Sequence, residues 1–415
     1  MGLHCPGWIF LFLGTLRLGA ELSLSTDFSS GSTRVLALDA ATQTVRITPA
    51  GDPARGMPNW WYLRIDGIDP TRPLILEVVA REATTPSDNE VPRPLNPLWT
   101  LPKQAAVSTD GKVWTQTPPG EPGPRQATYR IPAPPVTLWL AWGPPFTPED
   151  AATWAAQMAQ SHPSARAFTL ARSREGRAVP GLHIREGDKP SAQRPAIWIT
   201  GRQHAWECGG SWIGVGLAEW LVSDDEPAAW LRRNAEVFLV PLMDVDHVAT
   251  GDGGKHALPQ DHNRDWTDAP HWPEVAAAQQ EILARAQEGR LAVYLDLHNP
   301  SPGATLQTFY VQYPPYVGEP AAAAQERFLT QARAEFGEIR LIDGKPSVPE
   351  HLPIWKRISV PWAILHGNPE TVSLTVETPW NTPQSTPAGY RESGRKLGRA
   401  LSLYLQDRAA GPAGR

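Results

Sequence analysis

Four short segments, far apart in the sequence, carry side chains that together could form one metal site. They are His204-Ala205-Trp206-Glu207, Asp261-His262-Asn263-Arg264, Asp296-Leu297-His298 and Thr375-Val376-Glu377-Thr378. Two imidazoles and a carboxylate can bind a zinc ion and leave one position open for water. A further carboxylate can accept a proton from that water, and a guanidinium can bind an anionic group of a substrate. If the four segments converge in the fold, they predict the chemistry of a zinc hydrolase.

The positions of these residues relative to the predicted strands indicate how they could converge. His204 and Glu207 directly follow one predicted strand, and a spacing of three residues places both side chains on one face of a turn. His298 lies at the end of a second strand, and Glu377 ends a third. Ligands of open α/β sheets gather at the carboxyl ends of the strands. An isolated HxxE pair or strand-end histidine is usually unrelated to metals, so the prediction depends on the complete set.

The second half of the chain has the pattern of an α/β domain. Its apolar segments predict strands at 196–200, 237–242, 291–297 and 373–376 and helices at 209–222, 274–288, 320–337 and 391–406. Strands alternating with helices favour a central, largely buried mixed sheet. We place this catalytic domain at 155–407 and expect a loose tail at 408–415.

The first half of the chain has the pattern of a β-sandwich domain, which we place at 22–150. Short strands are predicted at 35–38, 44–47, 60–65, 74–79, 112–115 and 136–142, with Pro and Gly between them. Segment 82–104 is predicted to be a long loop. Thr147-Pro148-Glu149-Asp150 combines a capping hydroxyl, a proline and two acids, so it predicts a helix start at the domain boundary.

Composition and charge restrict the possible partners. The chain has 415 residues, of which 41% are hydrophobic and 20% are charged, as in ordinary globular proteins. A net charge of about −5 without a long basic run argues against nucleic acid. Cys5 and Cys208 cannot form a disulfide framework, and we interpret Cys208 as a small buried residue.

The first twenty residues contain an apolar run at 8–13 that is too short to span a bilayer but fits the core of a signal peptide. We therefore predict a signal peptide at 1–20, export to the periplasm or medium, and no stable membrane insertion after its removal. Residues 1–7 contain no Lys or Arg. A wrongly assigned start codon is the main alternative, and it would leave the protein cytoplasmic.

The four motifs resemble those of the M14 zinc carboxypeptidases, particularly the branch of cytosolic carboxypeptidases. Segments 60–65 and 143–150 of the sandwich region also resemble that branch, so the resemblance covers most of residues 30–400. It implies a carboxypeptidase-like catalytic domain with one Zn²⁺ per chain, acting on peptide or protein C-termini.

The resemblance also implies a role for each residue of the motifs. It assigns zinc binding to His204, Glu207 and His298, the general base to Glu377, the substrate carboxylate to Asn263 and Arg264, and a hydrogen bond to the first histidine ligand to Asp261. Two positions depart from the family pattern. Lys255 is the nearest cation where the family has an arginine that polarises the scissile carbonyl. Residues 345–376 contain no tyrosine where classical members have one; His366 lies in this stretch and is a weak candidate for that role.

Other mechanisms have no motif in this sequence, because HExxH and GxSxG are both absent. Two alternatives to a carboxypeptidase remain. A zinc deacylase of N-acyl amino acids, like succinylglutamate desuccinylase and aspartoacylase, shares the same arrangement of HxxE, Asn-Arg, His and Glu, although the predicted sandwich favours the peptidase. A non-catalytic peptide- or glycan-binding protein could retain the peptidase fold, although the complete set of ligands and base argues against it.

Overall fold

The structure is a computed structural model that describes residues 21–85, 93–346 and 349–410. The strands of the first half are β1 (Ser23–Ser25), β2 (Arg34–Asp39), β3 (Thr44–Thr48), β4 (Tyr62–Asp66), β5 (Leu74–Val79), β6 (Thr84–Thr85), β7 (Arg93–Pro94), β8 (Ala106–Ser108), β9 (Thr115–Gln116), β10 (Glu121–Pro122), β11 (Gln126–Ile131) and β12 (Leu138–Ala141). Those of the second half are β13 (Ala165–Arg172), β14 (Ala178–Ile184), β15 (Ala196–Gly201), β16 (Glu236–Val240), β17 (Leu291–His298), β18 (Gln307–Val311), β19 (Ile339–Asp343) and β20 (Val372–Glu377). The helices are α1 (Pro148–Ser161), α2 (Cys208–Leu221), α3 (Glu226–Asn234), α4 (Val245–Thr250), α5 (Pro273–Gln287), α6 (Pro314–Val317), α7 (Glu319–Phe336), α8 (Leu352–Trp355), α9 (Ser359–His366) and α10 (Pro387–Ala410).

The first half forms two five-stranded sheets, ordered β1-β4-β12-β8-β9 and β10-β11-β5-β3-β2, as expected for a β-sandwich. The alternation of β5 shows why they pack together, since Leu74, Leu76 and Val78 are fully buried and the residues between them are not. One predicted strand, at 112–115, is shorter than expected and begins only at Thr115. The carboxylate of Asp110 accepts hydrogen bonds from the backbone N–H groups of Lys112 and Val113, both at 2.8 Å, and this turn replaces the start of the strand.

The helix predicted at the domain boundary is α1, and its capping box explains its start. The Thr147 side chain accepts from the backbone of Asp150, whose carboxylate accepts from the backbone of Thr147. In segment 82–104, predicted as a loop, the structure has the short pair β6 and β7 and a 3₁₀ turn at Pro97–Trp99. Residues 86–92 lie outside the described ranges.

The second half is built on an eight-stranded mixed sheet ordered β13-β14-β16-β15-β17-β20-β18-β19. The four central strands, β16, β15, β17 and β20, are parallel and correspond to the four predicted strands. The outer strands were missed. Many residues of β13 and β19 are exposed or half-buried, so these edge strands lack the continuous apolar run that marked the central ones.

Helix α2, which starts directly after Glu207, packs closely against the last helix, α10. A Cβ atom at Gly216 would lie 2.2 Å from the backbone oxygen of Arg391, and one at Gly394 would lie 2.1 Å from that of Ile213. The two glycines therefore permit a backbone contact that anchors the helix next to the site.

Helix α10 continues to Ala410, so the prediction of a loose tail from residue 408 is wrong for residues 408–410. Residues 411–415 and the predicted signal peptide at 1–20 lie outside the described ranges. Within those ranges, no helix combines the length and apolarity needed to cross a membrane.

Candidate metal site

The predicted site residues meet at one edge of the central sheet because three parallel strands end there. Strand β15 ends at Gly201, three residues before His204, and β17 ends at His298. Glu377 ends β20 and pairs directly with His298 in the parallel register. The carboxyl ends of the strands thus bring together residues that are up to 173 positions apart in the sequence.

His204, Glu207 and His298 form a compact, buried group, each 2% exposed. The Nδ1 atom of His204 lies 2.9 Å from Oε1 of Glu207, and Nδ1 of His298 lies 2.6 Å from Oε2 of the same carboxylate. One donor atom from each residue lies within 4.8 Å of the other two. Two imidazoles and one carboxylate are a donor set that zinc accepts, so these residues fit the ion that the sequence motifs imply.

Each histidine of this group has a second carboxylate on its other ring nitrogen. Nε2 of His204 lies 3.2 Å from Oδ1 of Asp261, and Nε2 of His298 lies 2.9 Å from Oδ2 of Asp296. Such outer carboxylates fix the tautomer and orientation of metal-binding histidines. The role of Asp296 was not predicted, although it belongs to the motif that ends at His298.

Asp296 is itself held by several donors, which makes the arrangement rigid. Its carboxylate accepts hydrogen bonds from the side chains of Thr200, Gln203 and Ser359 at 3.1, 2.5 and 2.5 Å. Burial alone would lower the pKa of His298, but the charges of Asp296 and Glu207 raise it well above its ordinary value. Burial would likewise raise the pKa of Glu207, yet the two histidines hold it low. The carboxylates around His204 and His298 therefore favour the binding of a positive charge in this group of residues.

Glu377 lies beside the candidate ligands, and its carboxylate is buried. Its Oε2 atom is enclosed and has no hydrogen-bond partner among the described residues. Burial raises the pKa of Glu377 to about 7; the charge of Glu207 adds to this rise, whereas His298 and Lys255 oppose it. A carboxylate with a pKa near neutrality is suited to taking up and releasing a proton.

Asn263 and Arg264 lie on a 3₁₀ turn, His262–Arg264, that is fastened next to the ligands. The carboxylate of Asp261 accepts from the Asn263 N–H at 2.8 Å and so caps the turn. The Asn263 side chain lies 3.2 Å from Nε2 of His298, and its Oδ1 accepts from the Ser359 N–H at 2.9 Å. Arg264 is half-buried and donates to the backbone oxygen of Asn263 at 2.9 Å.

Lys255 is half-buried and close enough for its charge to act on both Glu377 and Asp261. Its loop is held by the sandwich domain, because Lys255 accepts a backbone hydrogen bond from Met57 at 2.9 Å and Gly254 donates one to Arg55 at 3.0 Å.

His366, the weak candidate for the role of the missing tyrosine, lies at the end of α9. There its ring stacks on Trp362 at 4.4 Å, and this packing gives it a structural role.

A tyrosine is nevertheless close to Glu377, and it comes from an element that the sequence did not reveal. Tyr310 lies on β18 opposite Thr375, so its side chain is on the same face of the sheet as Glu377. Burial raises the pKa of Tyr310, and the negative charges of Glu377 and Glu207 raise it further. Residues 345–376 contain no tyrosine, but antiparallel strand pairing brings Tyr310 to the same face of the sheet as Glu377.

The sandwich domain also holds the loop that carries the first two candidate ligands, His204 and Glu207. Trp206, between His204 and Glu207, is fully buried in the apolar core of the sandwich. Its ring centroid lies 5.3 Å from that of Trp99, 5.1 Å from that of Trp142 and 6.1 Å from that of Trp380. Trp206 belongs to the first sequence motif, but the sequence predicts no role for it. Its role in the core becomes visible only in the packing of the two domains.

Solved structures share this architecture over almost the whole chain. A metallo-carboxypeptidase from Burkholderia cenocepacia superposes with a TM-score of 0.77, covering 93% of this chain and 99% of that one at 19% identity. A metallo-carboxypeptidase from Pseudomonas aeruginosa, in complex with (2-guanidinoethylmercapto)succinic acid, gives a TM-score of 0.74 at 20% identity, with 93% and 99% coverage. Identities this low establish the fold alone, and the fold is that of the metallocarboxypeptidases.

The sequence comparisons match part of the chain to one family. Residues 151–282 match the profile of the zinc carboxypeptidases, peptidase family M14. Cytosolic carboxypeptidase 6 of Mus musculus is 29% identical over 120 residues, which are 28% of this chain and 22% of the relative. Cytosolic carboxypeptidase 4 of Homo sapiens is 31% identical over 127 residues, which are 30% of this chain and 11% of the relative. Residues 151–282 thus match a zinc carboxypeptidase domain of the M14 family, which confirms the predicted resemblance. The matched segment spans about a fifth or less of the length of these relatives.

Proposed function

We propose that this protein is a zinc-dependent carboxypeptidase that hydrolyses the C-terminal peptide bond of peptides or proteins. The observation that carries the proposal is the convergence of His204, Glu207 and His298 on one buried point, with the buried carboxylate of Glu377 beside it. The match of residues 151–282 to the M14 zinc carboxypeptidases supports the same class of reaction. One zinc ion per chain would be held by these three residues, with Asp261 and Asp296 orienting the histidines.

The chemistry is divided between the ion and the chain. When bound, zinc supplies Lewis-acid activation of water and of the scissile carbonyl. Glu377 accepts a proton from the attacking water and then delivers it to the leaving amine as the carbon–nitrogen bond breaks. Its raised pKa suits both steps, because the same group must be a base first and an acid afterwards.

The remaining residues fit the binding of a C-terminal substrate. Arg264 presents a planar guanidinium that can bind a carboxylate through two hydrogen bonds, and Asn263 adds a neutral donor. Lys255 places positive charge near the base, where negative charge develops on the carbonyl oxygen. Removing one such stabilising group costs about 3–4 kcal/mol in comparable sites.

The proposal is tested by digesting a library of peptides with purified, zinc-loaded protein and identifying the released residues by mass spectrometry. A panel of N-acyl amino acids is assayed in parallel, since a deacylase would cleave those instead. We expect C-terminal residues to be released, and a chelator to stop the release. Cleavage of the acyl panel alone would favour the deacylase, and binding of peptides without any cleavage would favour a non-catalytic protein.

Two variants connect the activity to the site. Glu377→Gln should retain zinc but lose turnover, because it removes the base and leaves the ligands. His298→Ala should lose both, because it removes a ligand. Zinc content is measured by inductively coupled plasma mass spectrometry. Normal rates in Glu377→Gln would exclude the proposed base.

A further inference from the structure

A second group of metal-binding residue types lies in the same domain, outside the proposed zinc site. Asp244 follows β16 and caps α4, His247 lies in the first turn of α4, and His262 opens the 3₁₀ turn that carries Asn263 and Arg264. The three residues are at most 2% exposed. None of them has a role in the proposed reaction.

The donor atoms of this group converge on one point. Nδ1 of His247 lies 2.8 Å from both carboxylate oxygens of Asp244, and Nδ1 of His262 lies 3.6 Å from Oδ2 of that carboxylate. One donor atom from each residue lies within 4.8 Å of the other two.

The Nδ1 atom of His262 is buried and has no hydrogen-bond partner among the described residues. Its other ring nitrogen, Nε2, lies 2.7 Å from Oε1 of Glu274, which fixes that nitrogen as the donor in a neutral ring. Trp272 stacks on the ring at 4.4 Å with an interplanar angle of 8°, so the ring cannot easily turn away. A neutral His262 therefore aims a lone pair at a carboxylate oxygen, an arrangement that a cation between them would stabilise.

This group repeats the arrangement of the first one. In both, a carboxylate and a histidine are three positions apart, and a second histidine from a distant segment approaches the same carboxylate through Nδ1. In both, an outer carboxylate holds Nε2 of that second histidine: Asp296 for His298, and Glu274 for His262. The same physical reasons that make the first group a metal site apply to the second.

We propose that Asp244, His247 and His262 bind a second divalent transition-metal ion, with zinc favoured by the two-nitrogen, one-oxygen donor set. Full burial gives this site the character of a structural site. The ion would fasten β16 and α4 to the turn that carries Asn263 and Arg264. It would also brace the Lys255 loop, because a Cβ atom on Gly254 would lie only 2.4 Å from Oδ2 of Asp244.

A bound proton is the competing occupant of this position. Burial lowers the pKa of His262, but Asp244 and Glu274 raise it to about 9, so a metal-free group would hold an imidazolium at neutral pH. Metal and proton occupy the same place, so metal content decides between them.

The test measures bound metal in the purified full-length protein. Protein stripped with a chelator is titrated with Zn²⁺ in competition with a chromogenic chelator, and the bound ions are counted by inductively coupled plasma mass spectrometry. We expect two ions per chain in the wild type and one in each of His247→Gln and His262→Gln. His183→Gln is the matched control, because His183 also stacks on an aromatic ring near a carboxylate but belongs to neither group; it should keep two ions.

The outcomes separate this inference from the proposed function. A wild type that binds one ion, lost in His298→Gln and kept in His247→Gln, overturns the inference and leaves only a proton in the second group. Two ions that both persist in His247→Gln and His262→Gln overturn it as well. One ion lost in His247→Gln and kept in His298→Gln would support the second site and refute the first. The wild-type titration decides the number of sites even if a variant fails to fold.

Discussion

Replacing Glu377 by glutamine should stabilise the metal-free protein while it abolishes turnover. The Glu377 carboxylate is enclosed, its Oε2 atom has no hydrogen-bond partner among the described residues, and the nearby charge of Glu207 is also negative. Glutamine has the same shape but no charge to desolvate, so it removes this cost. A catalytic residue that is held in an unfavourable environment supports activity but lowers the stability of the folded protein.

The size and pH dependence of the effect follow from the pKa of Glu377. Burial raises this pKa from 4.5 to about 7 in the folded protein. At about 1.4 kcal/mol per pKa unit, the charged form costs at most about 3.5 kcal/mol. The folded protein binds this proton more tightly than the unfolded chain. The contribution of this proton to the stability of the wild type is therefore fully present below pH 4.5 and is lost as the pH rises through 7. The advantage of Glu377→Gln should be absent near pH 4 and largest near pH 8.

The assay is urea unfolding of wild type and Glu377→Gln in excess chelator at several pH values, followed by tryptophan fluorescence. Turnover of a peptide substrate is measured on the zinc-loaded proteins, and we expect it to fall by about 10²–10⁴-fold. Glu326→Gln is the control, since Glu326 is an exposed carboxylate on α7 paired with Arg333. It should change neither quantity.

Two results would refute this reasoning in different ways. Equal stability of wild type and Glu377→Gln at pH 8 would show that the carboxylate is solvated or paired in the folded protein. A stability gain accompanied by unchanged turnover would retain the burial argument and reject Glu377 as the base.

The other site residues lead to four further expectations. Arg264→Ala should raise the KM for peptides with a free C-terminal carboxylate and leave C-terminally amidated peptides unaffected, as steady-state kinetics on both substrates will show. Lys255→Met should lower kcat by about 10²–10³-fold with intact zinc content, and an unchanged kcat would remove this residue from the mechanism. Asp261→Asn should weaken zinc affinity by about 10–100-fold in a chelator competition, because it loosens His204. Trp206→Ala should lower the free energy of unfolding by about 3–5 kcal/mol in urea titrations, and a loss near zero would contradict its burial in the sandwich core.

Trp206 also suggests why the two domains occur together. The core of the sandwich is completed by a tryptophan from the loop of the candidate metal ligands His204 and Glu207, and the Lys255 loop is joined to the sandwich by backbone hydrogen bonds. Both loops would lose these supports without the first domain. The sandwich therefore contributes to the geometry of the candidate site while supplying none of the proposed ligands.

Much of this protein was determined by local sequence. The four central strands are continuous apolar runs because both faces of a parallel sheet are covered, and such runs are readable without a structure. The start of α1 follows from Thr147, Pro148 and Asp150, which satisfy the first backbone donors of the helix themselves. The ligand motif was readable because His204, Glu207 and His298 stand at or just after the ends of those strands, where parallel sheets gather their functional residues.

Tertiary structure alone decided which distant residues became neighbours of these motifs. Tyr310 reaches the face of Glu377 through antiparallel pairing, and His262 meets Asp244 across seventeen intervening residues that include α4. Neither of these contacts has a local sequence pattern, since each depends on the order of strands in the sheet and on how loops pack over its edge. Periodicity and capping act between residues that are close along the chain, whereas the partners of a buried charge are chosen by the packing of the whole domain.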